Sequence, residues 1–222
     1  MELNKIYNEN CLDTMAKMPD NYIDLTVTSP PYNMRLRVRN GEYTTREKSE
    51  HFSKKYDFFS DDLPIIEYFV FHSNCLKELL RVSKTILWNI QIVTGNKEAV
   101  FKIIGDYCLH IKDVIIWDKG HGQPAMHENC INKATEMILI LESEASAGRT
   151  LKRAYFDRGT FTDIIRINSE RNNIHGATFP TKLAKKLINS FSKEGDLVYD
   201  PFMGSGTTAK AAHLLKRNML GS

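Results

Sequence analysis

A chain of 222 residues has room for one α/β domain with a proper core and is short for two. A composition of 42% apolar and 26% charged residues excludes a disordered or fibrous chain, and no apolar run approaches the roughly 18 residues a membrane span needs. The formal net charge of +3 is only mildly basic, so the placement of charge says more about partners than its sum.

No charged leader followed by an apolar stretch opens the sequence, so no secretory signal is expected. Four widely spaced cysteines, Cys11, Cys75, Cys108 and Cys130, read as reduced thiols of a cytoplasmic protein.

In chain order, helical periodicity covers Leu12–Met18, and a β-rich run follows at Ile23–Thr28. A longer helix is predicted over Pro64–Val82, with Ile66, Phe69, Val70, Leu76, Leu79 and Leu80 as its core-facing positions. A strand at Thr85–Val93, a helix at Asn96–Tyr107 and strands at Lys112–Trp117 and Thr135–Leu141 come next. The last third reads as a helix over Pro180–Phe191, a strand at Asp196–Tyr199, a helix over Thr207–Leu215 and a final strand from Asn218 to Leu220. Pro64 and Pro180 suit first-turn helix positions. Strands alternating with helices predict one doubly wound, mostly parallel sheet with helices on both faces, a Rossmann-like domain spanning residues 1–222.

Two stretches interrupt that alternation. Met34–Ser60 carries seven Lys/Arg against four acids, and Ala145–His175 carries six against three. A charge-rich insertion is as often a solvated loop as a binding surface. Aromatics interleave with the bases in both, at Tyr43, Phe52 and Tyr56 and at Tyr155, Phe156 and Phe161, as expected where nucleobases stack and phosphates are held. Arg35, Arg37, Arg39, Lys152 and Arg153 are therefore the candidate DNA contacts.

Two short strings carry chemistry. Thr28-Ser29-Pro30-Pro31-Tyr32-Asn33 follows a predicted strand directly. Its prolines fix the backbone and remove two donors, leaving carbonyls as rigid acceptors. An aromatic amino group is a poor nucleophile because its lone pair is delocalised into the ring. Acceptance of its two protons by the Ser29 hydroxyl and the Pro30 carbonyl would turn that lone pair toward a methyl donor. Tyr32 offers a face for an extruded base. The bland alternative is a polyproline-type turn.

The second string is Asp200-Pro201-Phe202-Met203-Gly204-Ser205-Gly206-Thr207-Thr208, placed between a strand and a helix. Its glycines permit a tight turn and close backbone approach to a ligand. The lysine of a phosphate-cradling loop is missing, since Thr207 stands where it belongs.

Together, and in this order, the two strings resemble the β-class DNA amino-methyltransferases, a circularly permuted group in which the catalytic motif precedes the cofactor motif. Further stretches resemble the same family: Tyr7-Asn8-Glu9-Asn10-Cys11-Leu12, Thr135-Glu136-Met137-Ile138-Leu139, and His175-Gly176-Ala177-Thr178-Phe179-Pro180. The resemblance implies S-adenosyl-L-methionine as cofactor and DNA as partner, with no metal. It implies catalytic roles for Ser29, Pro30, Pro31 and Tyr32. The implied cofactor contacts are Asn10, Cys11, Ser29, Thr178, Phe179, Asp200, Pro201, Phe202, Gly204, Ser205, Gly206 and Thr207. Asn10 departs from the family's acid at its position, and the sequence ends at Ser222, short of the acid that holds the ribose in that family. A longer chain or a weaker donor site is the expected consequence.

A Ser heading the catalytic motif favours cytosine N4 by a small margin over adenine N6. No cysteine follows a proline, which argues against ring-carbon methylation. The signatures of a zinc deaminase are missing, and Cys108, His110, His121, His127 and Cys130 are too irregularly spaced for a zinc site. A catalytically silent DNA-binding or partner subunit is the competing expectation, and a Rossmann oxidoreductase a weaker one. The 145–175 insertion is small for target recognition, so help is expected from residues 34–60 or from a homodimer partner.

Overall fold

The computed structural model describes residues 1–34, 38–39, 42–43, 62–123, 128–172 and 176–222. Arg35 and Arg37 lie outside the described residues. Arg39 lies in a two-residue strand known by its backbone alone.

The chain opens with β1 (Lys5–Ile6) and α1 (Cys11–Ala16). Asn10 caps α1, its side-chain oxygen accepting the Leu12 N–H at 3.0 Å. Then come β2 (Ile23–Thr28), the antiparallel pair β3 (Val38–Arg39) and β4 (Glu42–Tyr43), and α2 (Ile65–Val82). The middle of the chain supplies β5 (Ser83–Ile90), α3 (Lys97–Asp106), β6 (Ile111–Gln123) and β7 (Lys133–Glu142). Three short strands follow, β8 (Ile164–Arg166), β9 (Glu170–Asn172) and β10 (Gly176–Thr178). The chain closes with α4 (Thr181–Phe191), β11 (Leu197–Asp200), α5 (Thr207–Leu214) and β12 (Asn218–Gly221).

Eight strands form one sheet in the order β1-β12-β11-β2-β5-β7-β6-β8. Every pairing is parallel except those of β7, which runs antiparallel to both β5 and β6. The two faces are read from alternation along single strands. In β2, Leu25 and Val27 share one face, where they join Leu183, Leu187 and Ala211. In β5, Leu87 turns to this cluster, while Ile86, Trp88 and Ile90 share the other. A strand apolar on both sides demands helices on both faces, and burying each such Leu or Ile contributes about 1.5–3 kcal/mol.

Several expectations needed correction. The buried stripe of α2 is Tyr68, His72, Cys75, Leu76, Leu79 and Val82, whereas Ile66 and Val70 are exposed. Periodicity counted every apolar residue alike. The buried face was instead set by two polar aromatics that find partners inside, Tyr68 and His72. Pro64 and Pro180 stand at the caps of α2 and α4, one residue before the first turn. The strand predicted to run to Val93 ends at Ile90, because the Asn96 side chain folds back to accept the Val93 N–H at 2.8 Å. The 145–175 stretch, expected as an insertion between elements of the sheet, contributes a strand of its own. Its β8 extends the main sheet beside β6, and Phe156 and Phe161 stack at 4.7 Å and pack on Phe191 of α4.

Candidate functional site

The carboxyl ends of adjacent parallel strands are where ligands meet an open α/β sheet. β2 and β11 are such neighbours, and each runs directly into one of the two motif strings. Thr28, the last residue of β2, donates its hydroxyl to Asp200 Oδ1 at 2.7 Å. The same oxygen accepts the Phe202 N–H at 3.0 Å, so one carboxylate ties the catalytic strand to the turn that follows β11. Burial pushes the Asp200 carboxyl up from its ordinary range, while the Thr28 and Thr208 hydroxyls and the Phe202 N–H pull the other way. Asp200 is thus a buried brace inside the loop.

The turn after Asp200 needs glycine. Gly204 (φ 50°) and Gly206 (φ 77°) adopt left-handed backbone, and the chain enters α5 directly afterwards. Gly221 on β12 leaves room for the end of the Met203 side chain, which a Cβ there would displace. The Met203 N–H also donates to the Ser222 carbonyl at 3.1 Å, so the last strand pins this turn. Gly204 and Ser205 are exposed, Pro201 is buried, and the Phe202 ring is partly buried near Phe71, His72 and Trp88, with centroids 6.1–6.3 Å apart.

The Ser-Pro-Pro-Tyr turn is held from three sides. The Tyr68 hydroxyl of α2 donates to the Pro31 carbonyl at 2.7 Å, so this carbonyl is engaged inside the protein. His72, one turn further along α2, is buried among Tyr68, Phe71, Trp88 and Phe202. Desolvation pushes its imidazole down to about 3, with the Pro31 carbonyl pulling the other way. At the exit of the turn Asn33 takes a left-handed φ of 55°. Its side-chain amide donates to the carbonyls of Leu63 (3.0 Å) and Gly95 (2.9 Å).

Ser29 and Tyr32 face the third side. Their hydroxyl oxygens lie 2.9 Å apart. Tyr32 donates to Glu136 Oε2 at 2.7 Å, and the Asn89 amide of β5 reaches Tyr32 and Glu136 at 2.7 Å each and Ser29 at 3.3 Å. Lys119 of β6 closes the set with an ion pair to Glu136 Oε1 at 3.1 Å, both side chains being about 10% exposed. Antiparallel β7 brings Glu136 to this edge: its start lies beside the carboxyl end of β5, with Met137 opposite Ile90.

Asn10 and Cys11 start α1 just beyond β1, where the Tyr7 N–H donates to the Gly221 carbonyl at 2.8 Å, so they share the carboxyl edge. The Asn10 carbonyl oxygen is engaged in its helix cap, and Cys11 is buried with its sulfur 3.7 Å from that of Cys75. Phe179 stands against Trp117, centroids 6.0 Å apart, in the cluster on the other face of the sheet from Phe202. Thr178 is placed by its backbone in β10.

Lys152 and Arg153 are not gathered here. Arg153 pairs with Asp196 (2.6 Å) and Asp24 (3.4 Å), at the amino ends of β11 and β2, and Lys152 pairs with Glu144 in the open. Arg153 is a strut between strand starts, at the sheet's opposite edge from Ser29. Among the described residues, Asn33, Tyr68, His72, Asn89, Lys119 and Glu136 complete the site without having been picked as site residues. The signals for them were the place of Asn33 at the end of the Thr28–Asn33 string, an acid in the Thr135–Leu139 string and a polar Asn within the otherwise apolar run of β5.

A family model described as DNA methylase, of the N6/N4 methyltransferases, matches residues 23–222. The type II methyltransferase M.BglII of Bacillus subtilis is 25% identical over 256 residues, covering 99% of this chain and 65% of the relative. M.HinfI of Haemophilus influenzae is 28% identical over 242 residues, covering 99% and 64%. The chain therefore spans just under two thirds of the length of these two relatives. Of solved structures, the cytosine-N4-specific PvuII DNA methyltransferase superposes with a TM-score of 0.70 at 16% identity, covering 98% of this chain and 80% of that one. The M1.HpyAVI–SAM complex gives 0.59 at 18% identity, covering 98% and 92%. At those identities the structural likeness speaks for the fold, and the match over residues 23–222 decides the rest: the chain belongs to the N6/N4 DNA methylase family.

Proposed function

We propose that this protein transfers a methyl group to the exocyclic amino group of a base swung out of DNA, with cytosine N4 slightly favoured over adenine N6. The observation that carries the reading is the hydrogen bond from Thr28 to Asp200, which yokes the amino-binding turn and the glycine turn at one edge of the sheet. The residues suit S-adenosyl-L-methionine as donor: left-handed glycines expose backbone, no lysine awaits a phosphate, and the partly buried Phe202 offers a ring edge. Bound there, the donor supplies an electrophilic methyl on a sulfonium.

The chain's own residues then do three things. Ser29 and the Pro30 carbonyl accept the two amino protons, Tyr32 stacks on the base, and the braced turns fix the distance between donor and acceptor. The Arg-rich segment Met34–Ser60, which includes Arg35, Arg37 and Arg39, leaves the site directly after Asn33 and is the proposed phosphate-contacting surface. A cytoplasmic setting fits four cysteines that form no disulfide.

Incubating DNA with the protein and S-adenosyl-L-methionine, then digesting to nucleosides for mass spectrometry, tests the reading. N4-methylcytosine is the expected product. N6-methyladenine would reassign the base, and no methylated nucleoside would overturn the proposal.

A second reading, a silent DNA-binding subunit, draws on Asn10, whose side-chain oxygen is already used in capping α1 and is poorly placed to bind a donor's adenine. Calorimetric titration separates the two readings: micromolar donor binding supports the enzyme, and no heat of binding supports the silent subunit.

A further inference from the structure

Ser29 can serve an amino group only if its hydroxyl presents lone pairs rather than its proton, and a hydroxyl left to itself does either. We propose that Glu136, through Tyr32, fixes Ser29 as an acceptor and so makes the site discriminate an amino group from an oxo group at the same ring position. This inference rests on the proposed function and adds to it a positioning residue and a specificity rule.

The direction of each hydrogen bond follows from proton counting. Glu136 is ion-paired with Lys119 at 3.1 Å, which makes it a carboxylate, a group that only accepts. Tyr32 has one proton and lies 2.7 Å from Glu136 Oε2, so that proton points at the carboxylate. The Tyr32 oxygen is then left as acceptor toward its other neighbours. One of these is the Asn89 amide, donating at 2.7 Å, and the other is Ser29 at 2.9 Å. Ser29 must therefore spend its single proton on Tyr32, and what it turns outward is a lone pair.

Asn89 enforces the same direction. Its Nδ2 lies 2.7 Å from both Glu136 Oε2 and the Tyr32 oxygen, themselves 2.7 Å apart, so one N–H is shared between the two, with Ser29 more distant at 3.3 Å. Its Oδ1 is buried with no hydrogen-bond partner among the described residues. Turning the amide over would set that oxygen against the carboxylate, so repulsion holds the orientation. Asn89, Lys119 and Glu136 are buried, where a half-satisfied polar network is costly, and their order is correspondingly firm.

The substitution that reads this out is Glu136→Gln. A glutamine can donate from Nε2 to Tyr32, after which Tyr32 donates to Ser29 and Ser29 presents its proton. The direction of the chain is reversed with almost no change of shape. The readout is equilibrium binding, without turnover, to two duplexes built on the methylated sequence, located by single-molecule sequencing of the treated DNA. One carries the target base and the other its oxo counterpart, uracil for cytosine or hypoxanthine for adenine. The ring nitrogen changes too, so the quantity compared is the amino-over-oxo preference of wild type against that of variant on the same two duplexes.

The wild type is expected to prefer the amino duplex by about tenfold, the worth of one hydrogen bond against a clash of donors or acceptors. Glu136→Gln is expected to lose or invert that preference, while Glu136→Asp, still acceptor-only, retains most of it. Tyr32→Phe removes the link itself and is expected to lose the preference as well, which decides the matter should the Glu136→Gln protein fail to fold by circular dichroism. A full wild-type preference in folded Glu136→Gln or in Tyr32→Phe overturns the inference. A wild-type protein that methylates no base overturns the proposed function instead, so the two failures are distinguishable.

Discussion

Thr28 and Asp200 stand 172 residues apart in sequence and 2.7 Å apart in space, sharing a buried hydrogen bond between the last residue of β2 and the last residue of β11. Thr28 is 1% exposed and Asp200 5%, so neither has water to fall back on. Thr28→Val keeps the shape and leaves a buried carboxylate short of one donor, which costs about 1–3 kcal/mol. Chemical denaturation should register that loss, and calorimetry should show weaker donor binding, because the same carboxylate oxygen holds the Phe202 N–H. An unchanged unfolding free energy would mean that the brace contributes nothing.

His72 predicts a pH dependence with a definite sign. Its imidazole is held down near 3 in the folded protein, against an ordinary value of 6.5. The unfolded chain therefore takes up the proton first as pH falls. Stability from this residue is complete above about 6.5 and is lost below it, at about 1.4 kcal/mol per pH unit until the folded value is reached. His72→Leu removes the titration, so the difference in unfolding free energy between variant and wild type should change with that slope from pH 6.5 down to pH 4.5. A difference independent of pH would show that the ring is not held neutral.

The two groups of basic residues should behave in opposite ways. Arg153→Met leaves Asp24 and Asp196 without their shared cation and should lower stability by about 1–3 kcal/mol. It should leave DNA affinity and its salt dependence unaltered, because the strut stands at the far edge of the sheet. Neutralising Arg35, Arg37 and Arg39 together should weaken DNA binding and reduce the slope of log affinity against log salt by up to about 3. Binding isotherms at several salt concentrations decide between them, and an unchanged slope in the triple variant would remove that segment from the interface.

Much of the fold was legible because it rests on local pattern. Each of the six strands predicted was found, β2 with the same bounds, since β-rich runs between helix-period segments have few other ways to be buried. The two motif turns were legible because glycine and proline declare backbone geometry directly. Pairing partners with no local signal were not. β1 is two residues long, and β8 exists because β6 offers it an edge. The face of α2 was misread for a related reason. Ile66 and Val70 are as apolar as the residues buried in their place, and what turned the helix was a hydrogen bond from Tyr68 to a carbonyl 37 residues earlier. The ion pairs of Arg153 were not legible, because charge in a sequence does not show whether an acid waits beside it. Glu136, Asn89 and Lys119 come from three different strands, and only the antiparallel course of β7 assembles them beside Ser29.

The central claim is that Ser29 acts on the amino group while the glycine turn separately holds the donor. Ser29→Ala measures this most directly, with methyl transfer to DNA and calorimetric donor binding followed on the same preparation. The account predicts that transfer falls by about two orders of magnitude or more, while donor affinity stays within about twofold of wild type. Normal methylation by Ser29→Ala would contradict it.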